Sequence, residues 1–203
     1  MMDGSSHRKE DIMGLFDKLF NYRDAGEKPS EKTTANFGEP ARSLFTSTGA
    51  FSLKQNTEIT DDQGKLAYKA SSKVVSLKDE TFVTDAGGKQ IAHIASKIMS
   101  LHERHIVDMA DGTHFELSNE LKHVVKDVTN IEGLGWQLRG NIVGLDFQLY
   151  DRSGGIIAVI SQKAVSIKDK YCIDIYQPQH EPVVVTILIA LQHMVRDREH
   201  AAI

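Results

Sequence analysis

The single cysteine is the first side chain in this sequence that could carry covalent chemistry. A thiol nucleophile needs a histidine positioned beside it, and His180 is the nearest candidate base downstream of Cys172. Cys172 lies between Tyr171 and Ile173 in a run with strand character, which is more typical of a small residue in the wall or core of a sheet. We therefore interpret Cys172 as structural and keep the catalytic interpretation as the alternative.

Histidines form the second group with chemical potential, but their spacing does not favour a metal site. His102 and His105 are three residues apart, which on a strand places them on opposite faces, and no helical His-x-x-x-His pair is present. We interpret the group as exposed strand histidines and predict neither a metal nor a cofactor. Five of the nine histidines belong to this group: His93, His102, His105, His114 and His123.

A glycine pair resembles part of a dinucleotide-binding motif. Gly133 and Gly135 are followed by Trp136-Gln-Leu-Arg, which alternates like a strand. A dinucleotide site requires a helix whose N-terminus faces the phosphates, so the sequence argues against one.

One sequence motif occurs three times, starting at Asp61, Asp85 and Asp151. It consists of Asp-x-x-Gly, eight further residues, and then Lys-x-x-Ser followed by an aliphatic residue. Each copy predicts a turn at Asp and Gly, a strand, a second turn at Lys, and another strand. The lysines are Lys73, Lys97 and Lys163. They either gather at one rim of the fold and bind an anionic lipid headgroup, or each caps a turn and stays solvated.

Short runs of alternating apolar and polar residues predict the elements that carry these side chains. Thr81-Phe-Val-Thr and Leu145-Asp-Phe-Gln-Leu are two examples, and turn residues recur about every ten positions, Asp79-Glu80 among them. No proline occurs between Arg42 and Gln177, as expected of a continuous paired sheet. The pattern predicts an all-β fold with a closed or sandwiched antiparallel sheet.

After Pro182 the composition of the sequence changes, and a nearly uninterrupted apolar run follows from Val183 to Val195. Proline at a first helical position and the charged residues that follow favour a helix. A helix that is apolar around its whole circumference must be buried, and this one is too short to span a bilayer. A barrel that sheathes the helix would satisfy that demand.

The N-terminal residues differ from the rest. We expect residues 1–40 to be a polar tail with one short amphipathic helix and residues 41–203 to form the barrel domain. Apolar side chains in the tail recur at helical spacing. This stripe could pack on its own barrel, bind a protein partner or dock on a membrane surface; it consists of Ile12, Leu15, Phe16, Leu19 and Phe20.

Composition bounds the partners and the compartment. The chain has 203 residues, a formal net charge of −4 and one cysteine. The negative charge argues against non-specific nucleic-acid binding, which needs many Lys and Arg contacts to phosphate. A lone thiol favours a reducing compartment, and no secretory signal or transmembrane segment is recognised. We expect a cytoplasmic protein that could associate peripherally with membranes.

Three features of the sequence resemble the LURP-one-related family. They are the repeat copy from Asp85 to His105, the copies that start at Asp61 and Asp151, and the segment Tyr171-Cys-Ile-Asp-Ile-Tyr before an apolar helix. That family shares its fold with the tubby C-terminal domain and is related to the phospholipid scramblases. The resemblance implies a closed antiparallel barrel of about twelve strands around a central hydrophobic C-terminal helix.

The same resemblance implies no enzymatic activity. We expect a non-catalytic cytoplasmic binding or scaffold module that recognises anionic phospholipid headgroups or a protein partner, because a barrel filled by its own helix leaves no interior cavity for a substrate. The alternative is an enzyme with a pocket at the barrel mouth that uses Cys172 or a histidine. The family usually has an acidic residue within or just after the apolar helix, where this chain has Gln192-His193.

Overall fold

A computed structural model describes residues 37–47, 56–75, 78–99, 102–118, 129–141, 146–163 and 170–201. The unit Gly38–Ile203 is compact. In chain order its strands are β1 (Arg42–Ser47), β2 (Asn56–Asp61), β3 (Leu66–Val75), β4 (Lys78–Asp85), β5 (Gln90–Met99), β6 (His102–Met109), β7 (His114–Ser118), β8 (Thr129–Ile131), β9 (Trp136–Asn141), β10 (Asp146–Tyr150), β11 (Ile156–Lys163) and β12 (Lys170–Ile175). A 3-10 turn (Pro178–His180) and one long helix, α1 (Glu181–Ala201), follow.

The twelve strands form one antiparallel sheet in the order β7-β6-β5-β4-β3-β2-β1-β12-β11-β10-β9-β8. Apart from β7 and β8, strands that are adjacent in sequence pair with each other, and β1 pairs with β12 to join the two halves of the chain. Apolar side chains alternate into the interior, as in β10, where Phe147 and Leu149 are buried and Asp146 is exposed. The predicted all-β antiparallel barrel around a C-terminal helix is confirmed.

The barrel is nearly closed, with a seam between its two terminal strands, β7 and β8. In the described residues a single bridge crosses it, where the Glu116 amide donates to the carbonyl of Glu132 over 3.3 Å. Gly133 lies against β7 so closely that a Cβ there would be 2.6 Å from the His114 carbonyl oxygen. Its φ of +93° also favours glycine. A residue without a side chain therefore lets the seam close.

Because neighbouring strands are antiparallel, successive turns of the chain lie at opposite ends of the barrel. We call one end the turn rim: it carries the β2–β3, β4–β5 and β10–β11 hairpin turns that begin at Asp61, Asp85 and Asp151. In each turn the Asp Oδ1 accepts amide N–H groups two and four residues on, and a glycine with positive φ follows. The start of β1 and the end of β12 lie at this rim as well. We call the opposite end the far rim.

Helix α1 enters the barrel at the turn rim and fills its interior. Every residue from 183 to 194 is buried, and Leu188 and Ile189 are fully so. Burying one such side chain contributes roughly 1.5–3 kcal/mol, so this segment is a large part of the core. The helix begins at Glu181, two residues before the predicted start, and continues through the charged residues that follow Val195 to Ala201.

Two local sequence predictions are wrong. Lys73 and Lys97 lie inside β3 and β5 rather than at turns, and Asp79 and Glu80 lie inside β4, because the hairpin strands are longer than the spacing of polar residues implied. His105, predicted as an exposed strand histidine, is fully buried and its Nδ1 lies 3.0 Å from the Ser96 hydroxyl. The cross-strand pairing of these two residues supplies a polar partner inside the barrel.

Candidate binding groove at the turn rim

The first residue of the central helix is held by two side chains from the barrel wall. Glu181 Oε1 accepts a hydrogen bond from the Tyr68 hydroxyl over 2.9 Å and from Arg42 Nη1 over 2.7 Å. Glu181 is buried, whereas the Arg42 side chain is 44% exposed. A carboxylate in the first turn of a helix also interacts favourably with the helix dipole. These contacts fix the helix N-terminus between β1 and β3.

The same contact affects the ionisation of the Tyr68 hydroxyl. Burial raises the pKa of the Tyr68 phenol well above its ordinary value, and the hydrogen bond to Glu181 and the negative charge of that carboxylate raise it further. The hydroxyl therefore stays a donor to Glu181 over the whole physiological pH range.

An open groove lies beside this anchor, between the β2–β3 and β4–β5 turns. Its cavity volume is about 300 Å³. Arg42 and Tyr68 belong to its lining, so the groove adjoins the contacts of Glu181. The complete lining is Arg42, Asp61, Lys65, Leu66, Ala67, Tyr68, Asp85, Ala86 and Gly87.

Two carboxylates of the groove, Asp61 and Asp85, organise the turns that flank it. Asp61 and Asp85 each accept their turn amides through Oδ1, and within the described residues no group donates a hydrogen bond to either Oδ2. Asp151, in the third copy of the repeat, differs because its Oδ2 accepts from Gln177 Nε2 over 2.9 Å. Hydrogen bonds from Ser153, Gln177 and Gly155 hold the pKa of Asp151 well below its usual range. Of the three copies of the repeat, the third is the one in which a second side chain of the described residues donates to the turn aspartate.

The three repeated lysines all lie on strands that point the same way, toward the far rim. Lys73 lies in β3 opposite Glu80, Lys97 in β5 opposite Arg104, and Lys163 ends β11 opposite Lys170. The strands of Lys73 and Lys97 are separated by one strand, about 10 Å from centre to centre at ordinary sheet spacing. Lys163 is four strand positions from Lys73 and six from Lys97. Sheet order brings Lys73 and Lys97 to neighbouring positions and Lys163 to another side of the barrel.

Cys172 is fully buried in β12, and its thiol donates to Asp174 Oδ1 over 3.2 Å. The predicted wall or core position of the cysteine is confirmed. His180, the candidate base, lies in the 3-10 turn with its ring edge-on to Trp136 at 4.9 Å between centroids.

The barrel interior contains a small polar layer around the second half of α1. The ring of His193 lies 3.4 Å from the hydroxyls of Ser72 and Thr81, and Gln192 is buried beside it in sequence. Across the described ranges no group of three or more His, Cys, Asp or Glu side chains is arranged to hold a metal ion.

The predicted docking stripe lies outside the described residues, so its docking role stays a prediction. The groove itself was missed by sequence reasoning, because Arg42, Tyr68 and Glu181 are far apart in the chain. The one local signal was an acidic residue directly before Pro182 at the start of a helix.

Fold and groove together define the class: an all-β, nearly closed barrel filled by its own C-terminal helix, with an open groove at one rim. A model of the family described as LURP-one-related matches residues 42–192. The chain belongs to the LURP-one-related family, and the predicted resemblance is confirmed. A search of curated proteins gives no match.

A crystal structure of a protein from Arabidopsis thaliana is similar to this chain. The two are 17% identical, the similarity covers 77% of this chain and 94% of that one, and the TM-score is 0.46.

Within the described ranges, no helix has the length and apolar character that crossing a bilayer requires.

Proposed function

We propose that this protein is a non-catalytic, cytoplasmic binding module that engages its partner through its rims and outer surface. The observation that carries the proposal is the filling of the barrel interior by residues 183–194 of α1. Substrate sites of barrel proteins commonly occupy the barrel interior or mouth, and here the interior is occupied by the chain itself. Recognition then falls to surface features, and the turn-rim groove is a candidate among them.

A protein partner fits the groove better than an anionic phospholipid headgroup does. Asp61, Asp85 and the nearby Glu181 are carboxylates, against which stand only Arg42 and Lys65. Arg42 already donates to Glu181, which leaves Lys65 as the other cation of the lining, beside the carboxylates of Asp61 and Asp85, to attract a phosphate. Charged groups of both signs are compatible with the polar, solvent-accessible rim of a protein interface.

Anionic lipid is the second candidate, and a different part of the molecule favours it. The far rim receives Lys73, Lys97 and Lys163, and each lysine near an anionic membrane contributes about 1 kcal/mol of attraction. The stripe from Ile12 to Phe20 would add apolar insertion.

Vesicle flotation separates these two candidates. Full-length protein and a variant that lacks residues 1–25 are floated with vesicles of phosphatidylcholine alone, with phosphatidylserine and with phosphoinositide, at low and high salt. The protein-partner candidate predicts no flotation with any vesicle. Salt-sensitive flotation with the anionic vesicles only would replace it with the lipid candidate.

Matched lysine variants locate the lipid contact if flotation occurs. Lys73→Gln with Lys97→Gln removes two charges at the far-rim ends of β3 and β5, and Lys65→Gln with Lys89→Gln removes two at the turn-rim ends of the same strands. The lipid candidate predicts weaker flotation for the first pair only.

The catalytic alternative is tested by the reactivity of the thiol. Because Cys172 is fully buried, we expect the rate of its alkylation by iodoacetamide to be limited by the unfolding that exposes the thiol. Denatured protein serves as the control for full reactivity. Rapid alkylation of the native protein would contradict the proposal and restore Cys172 as a candidate nucleophile.

A further inference from the structure

We propose that helix α1 has one fixed end and one releasable end: from Gln192 onward it detaches from the barrel at the far rim in a local opening, while residues 183–191 stay docked. This inference goes beyond the proposed function, which concerns recognition at the surface. The opening leaves most of the filling of the barrel in place and gives the far rim two states.

The end of α1 at the turn rim is the fixed one. Glu181 Oε1 accepts hydrogen bonds from the Tyr68 hydroxyl over 2.9 Å and from Arg42 Nη1 over 2.7 Å. Every residue from 184 to 191 is fully buried. The one polar side chain among them, Thr186, donates its hydroxyl to the Pro182 carbonyl over 2.8 Å. Undocking this segment would expose a continuous apolar surface and release no buried polar group from a strained position.

The end at the far rim contains a polar group that the barrel does not satisfy. Gln192 is 7% exposed, and its side-chain Nε2 is buried where no atom of the described residues accepts a hydrogen bond from it. A buried donor without an acceptor destabilises the docked state, because the same group is hydrogen-bonded in water. Detachment of this turn therefore recovers hydration that docking removes.

The neighbouring wall loses little when the helix end leaves. The ring nitrogens of His193 lie 3.4 Å from the hydroxyls of Ser72 and Thr81, which is longer than an ordinary hydrogen bond between nitrogen and oxygen. The two hydroxyls lie 2.9 Å from each other, so they keep a partner in the wall after His193 has moved away. The boundary of the opening falls between Leu191, which is fully buried and apolar, and Gln192.

Native-state hydrogen exchange of the full-length chain in increasing urea tests the inference. We expect the backbone amides of Gln192, His193 and Met194 to exchange at least about tenfold faster than those of residues 185–191. A local opening exposes little surface, so the exchange of these three amides should be nearly independent of urea at low concentration. The amides of residues 185–191 should instead follow the urea dependence of global unfolding.

Two matched variants test the cause of the opening. Gln192→Leu removes the buried donor at similar volume and should slow exchange at His193 and Met194 by about tenfold or more. Thr186→Val is the control, because it replaces a buried polar side chain of the same helix that has its acceptor and stays docked in the opening. It should leave the local exchange at His193 and Met194 unchanged.

Two outcomes would overturn the inference. One is exchange of residues 192–194 at the rate and with the urea dependence of residues 185–191, which would mean that the helix opens as one unit. The other is unchanged exchange at His193 and Met194 in Gln192→Leu. The urea comparison needs no variant, so it decides the question even if Gln192→Leu does not fold. Either outcome leaves the proposed function standing, because an interior that opens only globally is still filled.

Discussion

Tyr68 donates its hydroxyl to Glu181 across the turn rim, joining the wall of the barrel to the first residue of the helix that fills it. The two residues are 113 positions apart in the chain. A hydrogen bond to a charged group contributes about 1.5–3 kcal/mol when it is sheltered from water. This contact couples the placement of the helix to the floor of the groove.

The first prediction concerns this contact and its pH dependence. Because the folded state raises the pKa of Tyr68 above the ordinary value of 10.0, its contribution to stability is complete below about pH 10 and is lost as the pH rises further. Urea denaturation at about pH 8 and pH 11 should show a smaller alkaline loss for Tyr68→Phe than for the unsubstituted protein. Phe147→Leu, a substitution in the buried sheet that removes no titrating group, is the control and should leave the alkaline loss unchanged.

The second prediction concerns the seam. At Gly133 an added methyl group would meet the His114 carbonyl oxygen at 2.6 Å, in addition to the strain of a positive φ. Gly112 has a similar φ of +89° with nothing within 4 Å of the added Cβ. Thermal unfolding should therefore show Gly133→Ala to be less stable than Gly112→Ala by about 1–3 kcal/mol. Equal stability of the two variants would mean that close approach at Gly133 does not hold the seam together.

The third prediction concerns the core. Leu188 is fully buried in α1, so Leu188→Asp should unfold the domain, because an unpaired buried carboxylate costs several kcal/mol against a total of about 5–15 kcal/mol. Leu188→Met is the control, and a swap of similar volume should cost less than about 1.5 kcal/mol. Circular dichroism and chemical denaturation measure both. A cooperatively melting Leu188→Asp protein of ordinary stability would contradict the central placement of the helix.

Local signals in the sequence predicted the antiparallel strands and the buried helix, and the family resemblance added the closed barrel of about twelve strands. The alternation from Thr81 to Thr84 marks β4, and the apolar circumference of the run from Val183 requires a surrounding wall. A turn of Asp and Gly is likewise readable within four residues, as at Asp85.

The candidate site was not predicted because it is assembled from distant segments. Arg42 and Glu181 are 139 positions apart, and no periodicity relates them. His105 was misread for the same reason: its burial depends on the strand register that pairs it with Ser96. Strand order, which places Lys163 on another side of the barrel from Lys97, was also beyond local patterns.

The most direct test of the account is amide hydrogen exchange of residues 185–191, because the proposed function depends on an interior that stays filled. The account predicts that these amides exchange only through global unfolding, with an opening free energy equal to that from denaturant melting. Exchange of α1 through an opening several kcal/mol below the global value, while Phe147 and Ile160 in the sheet stay protected, would contradict it. In that case the helix leaves the barrel and the interior becomes available to a ligand.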